Sequence, residues 1–218
     1  MDRETMSEAG PGAVSRVPGR GRFGRPAIGC LVEVVETLVL TPVIFLVIQT
    51  FVAQPYQVKQ QSMEHTLEPG HYVLVDKLTP HFSAYGRGDI VVFNPAAAFA
   101  NADGSPFIKR VIGIGGDTVE VKDVGFVYVN GTKLTEPYLF AVDGRAQPTT
   151  TTGETVWHVP DGALFLLGDH RQESTDSRVF GMVPVASVIG RAWLRYWPLD
   201  SFGTLTNPGH PELASPVP

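Results

Sequence analysis

The chain has 218 residues, 43% of them hydrophobic and 18% charged, which suffices for one sizeable core and is too apolar for a disordered chain. A formal net charge of −5 gives no electrostatic footprint for nucleic acid. The single cysteine, Cys30, excludes an internal disulfide framework and a cysteine zinc site. It falls at the edge of an apolar stretch and reads as structural.

Residues 1–29 are rich in Gly, Pro and Arg, lack any hydrophobic period, and predict a flexible basic tail. Arg3, Arg16, Arg20, Arg22 and Arg25 stand there against Asp2, Glu4 and Glu8, which gives residues 1–26 a net charge of +2 and leaves −7 for the rest. Residues 30–53 follow, ending in LVLTPVIFLVIQTFVA. They supply the roughly 20 apolar residues that a helix needs to cross a bilayer. Glu33 and Glu36 sit in the first turns, at headgroup level, and Pro42 is tolerable inside a membrane helix. The arginines before the span place the N-terminus in the cytoplasm and residue 54 onward outside. Cleavage after Ala53 would put Phe51 at the −3 position, where a leader needs a small residue, so the segment reads as a retained single-pass anchor.

Beyond the span the pattern is strand-like. HYVLVDKL (71–78), DIVVF (89–93) and FIKRVIGI (107–114) come first. In DTVEVKDVGFVYVNGTKL (117–134), Asn130-Gly131 is a two-residue hairpin signal. ALFLLGD (163–169) and MVPVASVIGRAWLRYW (182–197) complete the set. The expected architecture is mainly β: an N-terminal transmembrane helix, a catalytic domain over 54–200, and a smaller inserted β cap over 118–162. Residues 201–218, rich in Pro and Gly, predict a flexible C-terminal tail. Trp193, Tyr196 and Trp197 read as core, whereas Phe82 and Tyr85 are better placed to touch a membrane.

No HExxH motif, paired cysteines or clustered histidines point to a metal. No helical run follows GIGGD (113–117), which reads as a tight turn rather than a phosphate loop. What remains is a serine among polar neighbours just after the span, QQSMEHTL (60–67), a lysine in an apolar strand, FIKRVIGIGGD (107–117), and GDHRQESTDSRVFG (168–181). In a strand Phe107, Lys109 and Val111 share one face, with Ile108 and Arg110 on the other. Serine needs a base to attack an amide. Lysine serves as one only when burial lowers its pKa from about 10.4, and the neighbours of Lys109 are apolar enough for that.

Taken in order, these segments resemble the type I bacterial signal peptidase family from the span to about residue 198. Ser62-Met63 with Thr66-Leu67 matches the nucleophile motif, with His65 where the family has proline. Phe107-Ile108-Lys109-Arg110 with Gly116-Asp117 matches the lysine strand. Gly168, Asp169, Arg171, Ser174, Asp176, Ser177 and Arg178 match the last motif, with His170 in place of asparagine. The resemblance implies a β-rich core with an inserted cap. It also implies a plasma-membrane serine endopeptidase that removes signal peptides after small residues of the Ala-x-Ala type, with Ser62 as nucleophile, Lys109 as general base and no cofactor or metal. Its partners would be the signal peptides of exported preproteins, the lipid bilayer and, indirectly, the export machinery, with no nucleic acid.

By the same resemblance Ser174 would hydrogen-bond the lysine amine, and Asp176 with Arg178 would support it. The Ser62 N–H would be one oxyanion donor, with Gln60 standing where many members have a serine hydroxyl. Val58, Met63, Leu67, Phe107 and Ile108 are candidates for the walls of small substrate pockets. A Ser62–His170–Asp169 triad is the mechanistic rival, disfavoured because adjacent residues of an extended segment point apart. Soluble self-cleaving repressors share the dyad chemistry but lack the span and carry a DNA-binding module. A membrane-tethered β binding module without activity is the remaining alternative.

Overall fold

The computed structural model describes residues 27–101 and 103–213. Most of the expected basic tail, and residues 214–218 of the expected C-terminal tail, lie outside them. The chain divides into two units, residues 1–43 and 44–218. The first contains most of helix α1 (Ala27–Val47), with Pro42 inside it. One π-helical turn, Ile48–Val52, extends the helix. The stretch Val32–Val52 is long and apolar enough to cross a membrane. Its large apolar side chains, including Leu38, Phe45 and Leu46, are exposed, which in water would be a steep penalty and in lipid is none.

The second unit is mainly β, as expected. Its strands in chain order are β1 (Ala53–Gln57), β2 (Tyr72–Asp76), β3 (Ile90–Phe93) and β4 (Phe107–Ile114). Then come β5 (Thr118–Lys122), β6 (Phe126–Val129), β7 (Thr132–Lys133), β8 (Ala141–Val142), β9 (Arg145–Ala146) and β10 (Val156–His158). The set ends with β11 (Ala163–Leu167), β12 (Val183–Pro184), β13 (Val188–Trp197) and β14 (Gly203–Thr204). An eight-stranded antiparallel sheet runs β1-β2-β13-β3-β4-β11-β12, with β14 beside β13. A second sheet runs β10-β5-β6-β7, and β8 with β9 forms a separate hairpin. All of these lie in sequence between β4 and β11.

Strand β3 is buried at all four positions, which is why IVVF reads as a continuous apolar run rather than an alternation. Ile90 and Val92 join Val58, Met63, Leu67, Val73 and Val75 in one core. Val91 and Phe93 point the other way, to Phe107, Val111, Leu164 and Leu166. A third core lies between the two sheets, where Ile112, Phe165 and Leu167 meet Val119, Val127, Val129 and Trp157.

Asn130 and Gly131, at φ 51° and 78°, make the two-residue turn between β6 and β7. GIGGD closes as a turn: the Asp117 N–H donates to Ile114 O at 3.0 Å, and its carboxylate accepts from the Ile114 N–H.

Three expectations need correction. Tyr85 is 9% exposed and belongs to the core with Val91 and Phe93, whereas Phe82 is exposed as expected. Trp193 and Trp197 are exposed rather than core: alternation along β13 turns Gly190 and Ala192 inward and Trp193 outward, and Trp197 ends the strand. Residues 203–213 are tied down rather than frayed. Thr204 pairs with Leu194, Asn207 donates to Asp89, and the Thr135 N–H donates to Glu212.

Candidate active site

Ser62 sits in a 3₁₀ turn, Gln61–Met63, entered through an extended Gln60. Met63 and Leu67 are fully buried, and as core residues they hold the turn against β2 and β3. Lys109 stands opposite Val91 in the β3–β4 pair. Its Nζ lies 2.6 Å from Ser62 Oγ, donates to Ile108 O at 3.2 Å, and is 5.2 Å from the Phe107 ring centroid. Both residues are almost completely buried, Lys109 at 1% and Ser62 at 2% exposure.

Burial lowers the Lys109 pKa from 10.5 to about 8, because an ammonium in so dry a site gives up its hydration. Asp176 and Asp169 oppose this by favouring the charged form, while Arg178 adds to the lowering. The arrangement is a hydroxyl in contact with an amine that can be neutral near neutral pH. It can activate an alcohol for attack on an acyl carbon.

Arg110 points to the opposite side of β4. It makes a bidentate pair with Asp169 at 2.8 and 2.7 Å, donates to Gly88 O, and stacks on Tyr138 with its guanidinium carbon 3.9 Å from the ring centre. Asp169 also accepts from Thr66 Oγ1 at 2.5 Å. A second buried arginine, Arg171, pairs with Glu136 and donates to Gly168 O and Thr149 Oγ1. These two buried ion pairs escaped the sequence reading because their partners lie 59 and 35 residues apart. Arg110 following Lys109 in an apolar strand was the available signal.

Asp169 is thus spent on Arg110. The His170 ring meets Glu64 Oε2 through Nδ1 at 2.7 Å and stacks on Phe140, with ring centres 3.9 Å apart. Neither geometry is that of a Ser–His–Asp triad. The His170 backbone N–H instead donates to Ser62 O at 3.1 Å, which joins the last motif to the nucleophile turn. Gly168 permits this approach, since a Cβ there would lie 2.3 Å from Ser174 Oγ and 2.5 Å from Ser62 O.

Asp176 is fully buried, accepts from the Gly168 N–H at 3.1 Å, and is gripped by Arg178 through two bonds of 2.7 Å. Ser174 does not make the bond expected of it. Its Oγ is buried without a partner, and the lysine donates to Ile108 O instead. Ser177 Oγ, whose sequence match carried no assigned role, accepts from the Leu166 N–H at 2.9 Å and fixes the segment to β11.

Two depressions open beside Ser62. An apolar cleft of roughly 220 Å³ is lined by Tyr56, Val58, Val73, Val92 and Ile108 among others. A more open groove of roughly 590 Å³ contains Ser62, Phe99, Phe107 and Glu173. Of the candidates for pocket walls, Val58 and Ile108 line the cleft and Phe107 the groove, whereas Met63 and Leu67 line neither and lie wholly in the core. Gln60 lines both and donates from Nε2 to Asn101 Oδ1 at 3.1 Å.

A family model described as signal peptidase, peptidase S26, matches residues 31–197, which include the turn, the lysine strand and the last motif. The chain belongs to this peptidase family. It is 39% identical over 181 residues to a signal peptidase I of Leptolyngbya laminosa, covering 82% of this chain and 85% of that one. Over 164 residues it is 40% identical to a signal peptidase I of Bacillus caldolyticus, covering 71% and 85%. A signal peptidase IB of Staphylococcus aureus (strain Mu50) is 34% identical over 191 residues, covering 82% of this chain and 95% of its own. As a member of the S26 peptidases the protein is a hydrolase, and the motifs read from the sequence fall within the matched span.

Proposed function

We propose that this chain is a membrane-anchored signal peptidase I with Ser62 as nucleophile and Lys109 as general base, cutting signal peptides from exported preproteins after small residues. The observation that carries the reading is the buried 2.6 Å contact between Ser62 Oγ and Lys109 Nζ. The neutral amine takes the hydroxyl proton as Oγ attacks the scissile carbonyl, and the ammonium so formed returns a proton to the leaving amine. The backbone N–H of Ser62 is one donor to the oxyanion, with the Gln60 amide beside it. Losing one such donor costs on the order of 3–4 kcal/mol of barrier. Asp176, held by Arg178, fixes the Gly168 strand end against the nucleophile turn, and Ser174 Oγ remains available to the lysine once the amine leaves Ile108 O.

The groove at Ser62 takes the residue before the cut, and the apolar cleft walled by Val58 and Ile108 takes the side chain two residues earlier. Residues 30–53 anchor the protein in the plasma membrane, with the N-terminus cytoplasmic and residues 54–200 on the other side. Residues 118–162 form the cap. The test is to incubate the full, detergent-solubilised chain with a preprotein bearing an Ala-x-Ala site. Cleavage that vanishes in Ser62→Ala and in Lys109→Ala supports the reading. A substrate bound but left whole by the unmutated protein would favour a binding module.

A further inference from the structure

The apolar cleft and the Ser62 groove are separate depressions that share Lys59, Gln60 and Asn101 as lining residues. Lys59 turns its ammonium outward to Asp103 at 2.6 Å, with both side chains more than half exposed, at 53% and 52%. Gln60 and Asn101 are joined to each other. Gln60 Nε2 donates to Asn101 Oδ1 at 3.1 Å, and both residues are partly buried. The far side of Asn101 is fixed in turn, its Nδ2 donating to Ser105 O at 3.1 Å and to Ser105 Oγ at 2.9 Å.

The result is a bar of two amides between the depressions, one end on the extended residue before the nucleophile turn, the other on the loop between β3 and β4. That loop is pinned elsewhere by Phe99, whose ring packs on Phe180 with centroids 5.8 Å apart. The bar therefore stands between fixed supports, and a shorter side chain at either position could not span the gap.

We infer that the Gln60–Asn101 pair is the specificity-determining partition of this peptidase: it keeps the cleft and the groove apart and limits the size of the side chain that the cleft admits. The inference rests on the peptidase reading above and adds Asn101, which no catalytic motif contains. Apolar walls alone discriminate weakly, about 10- to 200-fold in kcat/KM per methylene. A cross-link that prevents the cleft from widening into the groove adds a steric limit which those walls lack. A hydrogen bond between neutral amides holds that limit while adding no charge to an apolar site.

The full chain in detergent is assayed on preproteins with Ala at −1 and Ala, Val, Leu or Phe at −3, and kcat/KM is compared across the series. The expected result is a gap between Ala and Leu that shrinks at least tenfold in Asn101→Ala, through gain on the Leu substrate, and by the same ratio in Gln60→Ala, on top of the loss that both substrates share when an oxyanion donor goes. The exchanged double variant Gln60→Asn/Asn101→Gln, which conserves the span, restores the gap. Asp103→Ala severs a different tie of the loop, the one to Lys59, at a residue that lines neither cavity; it leaves the gap as it is. An unchanged gap in both alanine variants, or an equal shrinkage in Asp103→Ala, overturns the partition. If the unmutated protein cuts none of the substrates, the peptidase reading falls first and takes the inference with it.

Discussion

Lys109 is the residue on which chemistry and stability pull in opposite directions. Its amine falls to about pKa 8 through burial, whereas in the unfolded chain it titrates near 10.5. Below pH 8 both states hold the proton, and the native state bears the whole cost of a buried ammonium. Between 8 and 10.5 only the unfolded state holds it, so stability rises with pH across that window. Above 10.5 the cost is gone. At about 1.4 kcal/mol per pH unit the penalty is on the order of 3 kcal/mol. Lys109→Met should therefore abolish cleavage yet raise the denaturant midpoint at pH 6–7, with the difference from the unmutated chain closing toward pH 10.5. A midpoint lowered at pH 7 would contradict this account. Activity has its own pH signature, since the base must be neutral: kcat/KM should climb about tenfold per unit below pH 8 and level off above it. Lys109→Arg should not rescue, because a guanidinium stays charged.

At the scale of elements, the site exists because three segments close on one another: the turn carrying Ser62, strand β4, and the run from Gly168 to Arg178. The tightest approach is at Gly168, where no Cβ fits beside Ser62 O. Gly168→Ala should force the last motif away from the turn, break the bond from His170 N–H to Ser62 O, and lower kcat at least a hundredfold. Its cost in folding should be only the 1–3 kcal/mol usual for overpacking, so parallel kinetics and denaturation separate the two effects. Much of this layout was legible in the sequence. Strand β4 announced itself by β-branched residues, and alternation put Lys109 and Arg110 on opposite faces. Strand β1 did not, since AQPYQ has neither alternation nor β-branched residues and carries Pro55, a residue suited to a sheet edge. The run 182–197 read as continuous and is split by a 3₁₀ turn at Val185–Ser187. The ties that shape the site, Asn101 to Gln60 and Arg110 to Asp169, join residues 41 and 59 apart and leave no local pattern.

For the whole folded unit the open question is whether the second sheet, which lies in sequence between β4 and β11, is an accessory that could be removed. The packing argues against it. Ile112, Phe165 and Leu167 belong to the main sheet but are completely buried only because Val119, Val127, Val129 and Trp157 cover them. Exposing those three side chains costs about 1.5–3 kcal/mol each. Arg171 would also lose Glu136 and Thr149, leaving its charge buried without a partner. Breaking a buried pair in this way costs about 3–5 kcal/mol. Together these losses are comparable with the 5–15 kcal/mol by which a domain of this kind is stable. Replacing residues 118–158 with a short turn should therefore leave a chain that fails to fold, seen as loss of a cooperative melting transition and of resistance to added protease. Glu136→Gln tests the ionic part alone, and it should lower the melting temperature while the transition stays cooperative. A deletion variant that melts cooperatively and still cleaves substrate would refute the packing argument and make the second sheet a dispensable cap.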